Sequence, residues 1–164
     1  PEMKSTGEAI GYDDKLNRAL YKALQAAGMH LQNYGTVLAT IADCDKDEAL
    51  PLIRRFYNLG FNIEATKGTA DFLRTHGIKT RKLSKLIEGS DDIYRSLCRG
   101  HVNYVINTID LNQHSARLDG YEIRRAAVEN NVTIFTSLET VSVLLQVLEE
   151  ITLGVSTIDA DYDN

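Results

Sequence analysis

Apolar residues recur along this chain in two rhythms that take turns. In residues 13–28, Leu16, Leu20 and Leu24 share one helical face with Ala19, Ala23 and Ala27 beside them. Asp13 or Asp14 caps that helix and Gly28 ends it. GTVLATIA (35–42) is a short apolar run of β-formers and reads as a strand buried on both faces. Leu50, Ile53, Phe56 and Tyr57 then form a broad helical stripe that closes at Gly60, with Pro51 placed in the first turn, where it is tolerated. FNIEAT is a second strand, followed by a short helix from Thr69 to His76 that Gly77 terminates. IKTRKL alternates Thr and Lys with few large apolar groups, which suits an edge strand.

The second half repeats the pattern. DIYRSLCRG is a helix, HVNYVINTI a strong fourth strand, DLNQHSARLDG a polar loop, YEIRRAAVENN a helix and VTIFT a fifth strand. A last helix carries Val141, Leu144, Leu145 and Leu148 on its apolar side, capped by Ser137, and the polar stretch from Gly154 onward is expected to fray. Strand and helix in strict alternation specify a parallel sheet with helices on both faces and right-handed crossovers. Strand order stays open at this point. Ligands of such sheets sit beyond the C-terminal strand ends, where the winding reverses.

With 164 residues the chain is long enough for one well-packed domain and short for two. A net charge of −5 offers no long-range attraction to nucleic acid or an anionic membrane, but a small anion bound in a pocket is not excluded. No apolar run reaches the roughly 20 residues a bilayer span needs, and the start, PEMKSTGEAIG, lacks a signal-peptide pattern, so a cytoplasmic setting is expected. The opening residue is not an initiator Met, which fits a segment of something longer. Cys44 and Cys98 show neither CxxC spacing nor a flanking His pattern and read as two buried or half-buried thiols. The four histidines are scattered without metal-ligand spacing, so no metal is expected; His76 reads as a helix C-cap, and His114 lies in the polar loop near the ligand side. Tyr94, Tyr104 and Tyr121 read as packing residues, and one of Arg124 and Arg125 as a salt-bridge or solvent-facing group.

The segments after the strands share one chemical theme. Thr40 and then Lys46 come after the first strand, Thr66-Lys67-Gly68-Thr69 after the second, Lys85 after the third, and Asn107-Thr108 after the fourth. ATKGTA turns a buried strand straight into a helix. Gly68 admits close backbone approach, helix N–H groups point at whatever sits there, and the helix dipole favours an anion. Thr66 and Thr69 add hydroxyls, and Lys46 and Lys85 add positive charge. The motif alone is served equally by Thr69 as an N-cap and Gly68 as a turn residue. It is neither a P-loop nor a GxGxxG fingerprint. Lys46 and Lys85 each also read as solvated surface lysines.

FNIEATKGTADFLRTHGI, YVINT, YEIRRAAVENNV and GTVLATIADCDKDEA together resemble the methylglyoxal-synthase-like domains, and among them the C-terminal regulatory domains of carbamoyl phosphate synthetase large subunits. PEMKSTGEAIG resembles the segment leaving the second ATP-grasp half of such subunits. The resemblance implies residues 1–11 as a lead-in, 12–150 as the regulatory domain and 151–164 as a polar tail. It implies a Rossmann-like three-layer α/β sandwich whose five-stranded parallel sheet runs 3-2-1-4-5.

It also implies an effector site at Thr40, Lys46, Thr66, Lys67, Gly68, Thr69, Lys85, Asn107 and Thr108, for UMP, IMP or phosphoribosyl pyrophosphate, with no cofactor in this domain. The implied parent enzyme makes carbamoyl phosphate from bicarbonate, glutamine-derived ammonia and ATP, using Mg or Mn and K. Its partners are the rest of the large subunit and the glutaminase small subunit, and a homo-oligomer is left open. Ile109 stands where the family carries another hydroxyl. True methylglyoxal synthases add catalytic Asp and His residues in a PHDP-like stretch. Here ARLDG keeps Asp119 without the His, while Asp110 matches a catalytic-site Asp. The expectation is therefore phosphate binding retained and catalysis absent, with a lyase acting on dihydroxyacetone phosphate and an oligomerisation domain with a vestigial pocket as the alternatives.

Overall fold

The computed structural model describes residues 22–23, 31–84, 92–110, 112 and 114–162. The helix expected over 13–28 lies outside them except for Lys22 and Ala23, which are helical. The chain divides into two compact units, residues 34–138 and residues 1–33 with 139–164.

The first unit holds the sheet. Its elements in chain order are β1 (Thr36–Thr40), a 3-10 turn (Asp43–Asp45), α1 (Lys46–Asn58), β2 (Asn62–Thr66), α2 (Lys67–Thr75), β3 (Thr80–Leu83), α3 (Asp92–Cys98), β4 (Val102–Asn107), α4 (His114–Glu129) and β5 (Thr133–Phe135). All four strand pairings are parallel, in the order β3-β2-β1-β4-β5. The expected order and the edge position of the third strand both stand.

Alternation along the strands builds two cores. Leu38 and Val105, paired across β1 and β4, face Ile93 and Leu97 of α3 and Ile123, Ala126 and Ala127 of α4. Their neighbours Val37 and Tyr104 point to the opposite face. There the Tyr104 ring lies 6.3 Å from Phe56 of α1, 6.0 Å from Phe61 and 6.1 Å from Phe135. Each such aromatic pair is worth about 0.5–1.5 kcal/mol beyond the area it buries. The unit is thus the expected three-layer sandwich.

The α3 face also buries a charge. Glu64 is only 3% exposed on β2. Its two carboxylate oxygens accept the Ser96 hydroxyl at 2.7 Å and His101 Nε2 at 2.8 Å, with Arg81 at 3.8 Å. That pairing makes a carboxylate tolerable in a sheet interior.

Several local expectations are corrected. Pro51 is the sixth residue of α1, in its second turn. It removes the donor that would bond the Asp47 carbonyl, and Asp47 is exposed, so water can take that bond. The polar loop after β4 is shorter than expected, because α4 begins at His114. No large apolar stripe marks that first stretch, so its helical period is invisible in the sequence. Cys44 and Cys98 are exposed, one in the 3-10 turn and one at the last residue of α3. Tyr121 is exposed on α4. The readings of His76 and Arg125 hold. His76 Nδ1 donates to the Phe72 carbonyl at 2.9 Å, and Arg125 pairs with Glu129 at 3.1 Å.

In the second unit, α5 (Leu138–Tyr162) buries Val141, Leu144, Leu145, Val147 and Leu148, and Asn33 Nδ2 donates to Thr152 Oγ1 at 3.3 Å. The helix runs past Gly154 instead of fraying there; no proline comes after Pro51 to break it.

Candidate functional site

A cleft of about 230 Å³ opens at the C-terminal ends of β1, β2 and β4. This is the crossover point of the sheet, where connections run to opposite faces. The volume falls below the roughly 300–1,000 Å³ of drug-sized pockets, which suits a small ligand.

Helix α2 forms one wall. It begins at Lys67, two residues earlier than the sequence pattern indicates, so Thr66 is the N-cap and Lys67, Gly68 and Thr69 supply the first-turn amides. Thr66 has extended dihedrals, φ −67° and ψ 160°, but its side chain makes no capping bond. The hydroxyl belongs to a residue 4% exposed, lines the cleft and has no hydrogen-bond partner among the described residues. A buried hydroxyl left unpaired costs about 1–3 kcal/mol, so a polar group entering the cleft would be favoured there.

Lys46, the first residue of α1, brings its ammonium to the same helix end. A Cβ on Gly68 would lie 3.3 Å from Lys46 Nζ. The ammonium and the positive end of the α2 dipole therefore face each other across a glycine. Lys46 is 16% exposed and is paired with the carboxylate of Asp43, which is 82% exposed. The helix end and the Lys46 ammonium thus share one cleft with an unpaired hydroxyl between the strand and the helix.

Thr69 and Thr108, which line the cleft, also anchor its wall. Thr69 Oγ1 accepts the Ile41 N–H at 3.0 Å. Thr108 Oγ1 accepts the Ala42 N–H at 2.9 Å, and the Thr108 N–H donates to the Thr40 carbonyl at 3.1 Å. These two hydroxyls hold the chain leaving β1 from both sides, so both residues position the cleft wall. Asn107, 2% exposed, uses Nδ2 to donate to the Gly120 carbonyl at 3.2 Å, which leaves Oδ1 as the atom a ligand can meet. Gly120 sits inside α4 because Ile109 packs against it; a Cβ there would lie 2.5 Å from Ile109 Cδ1. Ile109 thus fills space beside the cleft with an apolar wedge.

Of the residues expected from sequence, Thr40, Lys46, Thr66, Gly68, Thr69, Asn107 and Thr108 come together. Lys67 does not: its side chain is exposed and its charge acts on Asp71. Lys85 lies outside the described residues, as do the side chains of His114 and Asp119. Sequence reasoning misses Asp43 as a site residue, although its i,i+3 spacing to Lys46 is visible. It also misses Ile41 and Ala42, whose amides matter only through the tertiary pairing with Thr69 and Thr108. Asp110 joins the lining. Among the described residues no group of three or more His, Cys, Asp or Glu side chains is placed to hold a metal ion, and no helix is long and apolar enough to cross a membrane.

A family model described as the MGS-like domain matches residues 48–136. Among solved structures the chain is similar to methylglyoxal synthase from Elizabethkingia anophelis NUHP1, at 17% identity and a TM-score of 0.58, over 70% of this chain and 79% of that one. The expectation of a fragment without catalysis is corrected by this finding: the solved structure whose fold the chain shares over 70% of its length is a methylglyoxal synthase, so the fold gives no ground for setting an activity aside.

Proposed function

Since the chain belongs to the MGS-like domain family, we propose that its cleft grips the phosphate of a small phosphorylated compound and acts on a triose phosphate as a methylglyoxal-forming lyase. The observation that carries the phosphate contact is the buried, unpartnered Thr66 hydroxyl at the N-terminus of α2, with the Lys46 ammonium against Gly68. First-turn amides, one hydroxyl and one ammonium match the three acceptor oxygens of a phosphate monoester.

Asp110 supplies the reaction reading. Asp110 lines the same cleft, with its Oδ1 accepting the Asn112 N–H at 2.9 Å, and its carboxylate would be the group to take a proton from the hydroxymethyl carbon of dihydroxyacetone phosphate. The hydroxyl on the deprotonated carbon of the resulting enediolate then gives up its proton and becomes the aldehyde carbonyl, the double bond shifts toward the other carbon, and the C–O bond to phosphate breaks, the phosphate leaving with that proton. The products are inorganic phosphate and the enol of methylglyoxal, which tautomerises. The phosphate contacts stabilise the charge that collects on the departing phosphate.

A second reading keeps the phosphate contacts and replaces the substrate by a regulatory nucleotide. In that reading the chain is the effector domain of a carbamoyl phosphate synthetase large subunit and takes UMP, IMP or phosphoribosyl pyrophosphate. One observation favours it: the sequence resemblance extends through PEMKSTGEAIG. ATP, its Mg or Mn ions, K and the glutaminase partner would belong to the rest of that enzyme. Effector and active conformation would then be linked by a coupling of about 1–3 kcal/mol.

One pair of measurements separates the readings. Methylglyoxal release from dihydroxyacetone phosphate, lost in Asp110→Asn, supports the lyase. Calorimetric binding of one of the three nucleotide-type ligands with no methylglyoxal formed supports the effector domain. A chain that shows neither turnover nor binding at millimolar ligand overturns the phosphate site itself.

A further inference from the structure

Asp43 is not explained by ligand binding. It sits in the 3-10 turn after β1, lines the cleft, and places a carboxylate on Lys46, the residue whose ammonium would meet a phosphate. The two side chains differ sharply in environment. Lys46 is 16% exposed and Asp43 82% exposed. The carboxylate thus reaches in from solvent to an ammonium that is already enclosed.

The positive end of α2 explains why an anion is needed there. Without a negative partner, Lys46 would face the first-turn amides of α2 at close range, held apart only by Gly68. We propose that Asp43 is an internal stand-in for the ligand phosphate: it holds Lys46 in the cleft when the site is empty, and a phosphate group must displace it to bind. Asp43 then sets affinity from outside the phosphate contacts themselves. The displaced carboxylate stays tethered nearby on the turn and repels a dianion, so phosphate alone binds weakly and the remainder of the ligand must add contacts.

The magnitude depends on the exposure of Asp43. A pair with one solvent-exposed partner contributes a fraction of the energy of a fully buried one, and salt screens it. Removing the competitor should therefore change affinity by a modest factor at low ionic strength and by less at high ionic strength. A role for Asp43 in folding alone would not give that salt dependence.

The inference rests on the phosphate reading above, and one experiment tests both separately. Inorganic phosphate is titrated calorimetrically into the full chain as wild type, Asp43→Asn, Asp43→Glu and Lys46→Met, at low salt and at high salt, with thermal melting to verify folding. Asp43→Asn should bind about two- to fivefold more tightly at low salt, with the gain shrinking as salt rises. Asp43→Glu should stay near wild type, and Lys46→Met should lose binding. If wild type binds, Lys46→Met does not, and Asp43→Asn is unchanged or weaker, the stand-in role is overturned while the phosphate site stands. If folded wild type and Asp43→Asn both fail to bind phosphate, the site and the stand-in role fall together.

Discussion

The Thr69 hydroxyl receives the Ile41 N–H at 3.0 Å, joining the first turn of α2 to the chain leaving β1. Thr108 does the same for Ala42 from the β4 side at 2.9 Å. Replacing either threonine by valine keeps the shape and strands a backbone amide. Each variant should lose about 1–3 kcal/mol of stability, measured by urea unfolding. Thr69→Ser should retain most of it. Both valine variants should also weaken phosphate binding, because the wall that carries Asp43 and Lys46 loses its anchor. Wild-type stability in both would show that these bonds do not hold the loop.

Gly68→Ala tests the approach of Lys46 to the helix end. The new methyl would meet Nζ at 3.3 Å, at the far end of a flexible side chain, so the fold should survive and the ammonium should move off. Phosphate affinity should fall about tenfold or more, with stability changed by less than about 1 kcal/mol, since alanine is the better helix former. Unchanged affinity would mean that Lys46 does not work at this helix end.

Gly120→Ala should be costly for a different reason. Its Cβ would come within 2.5 Å of Ile109 Cδ1 inside the unit, and overpacking of this kind costs about 1–3 kcal/mol. Ile109→Ala removes the clashing atoms. The double variant should therefore lose less than the sum of the two single losses, by at least about 0.5 kcal/mol in a denaturation cycle. Strict additivity would show that the two residues do not meet.

Asp71 on α2 gives a pH prediction. Its carboxylate bonds Lys82 Nζ on the edge strand β3 at 2.6 Å, and that hydrogen bond, with the charges of Lys82, Lys67 and Arg74, holds its pKa below the ordinary 3.8. A lowered carboxyl pKa contributes stability that is fully present above the unfolded-state value and is lost as pH falls through the folded-state one. The link between α2 and β3 should thus be intact at neutral pH and disappear only in acid. A carboxyl-carbon NMR titration should place the Asp71 midpoint below 3.8 and return it toward 3.8 in Lys82→Met. An equal midpoint in both proteins would contradict the pairing.

The layers of this fold were legible because each strand is a short apolar run and each helix has a broad apolar stripe. Val37 and Leu38 face opposite cores, yet both are apolar, which marks a strand covered on both sides. The start of α4 was not legible, since residues 114–120 carry a single large aliphatic side chain, Leu118. Strand order came from resemblance, because alternation alone does not contain it. At the site, Thr66 and Gly68 could be read from a strand turning directly into a helix. The anchoring of the loop after β1 by Thr69 and Thr108 could not. Which hydroxyl meets a backbone amide depends on residues 28 and 66 positions away.

The central claim, that a phosphate sits at the N-terminus of α2, is tested most directly by amide NMR during titration with inorganic phosphate. The account predicts saturable downfield shifts of the Lys67, Gly68 and Thr69 N–H signals, absent in Lys46→Met. Saturation without movement of those three amides, with the shifts gathered elsewhere on the chain, would contradict it.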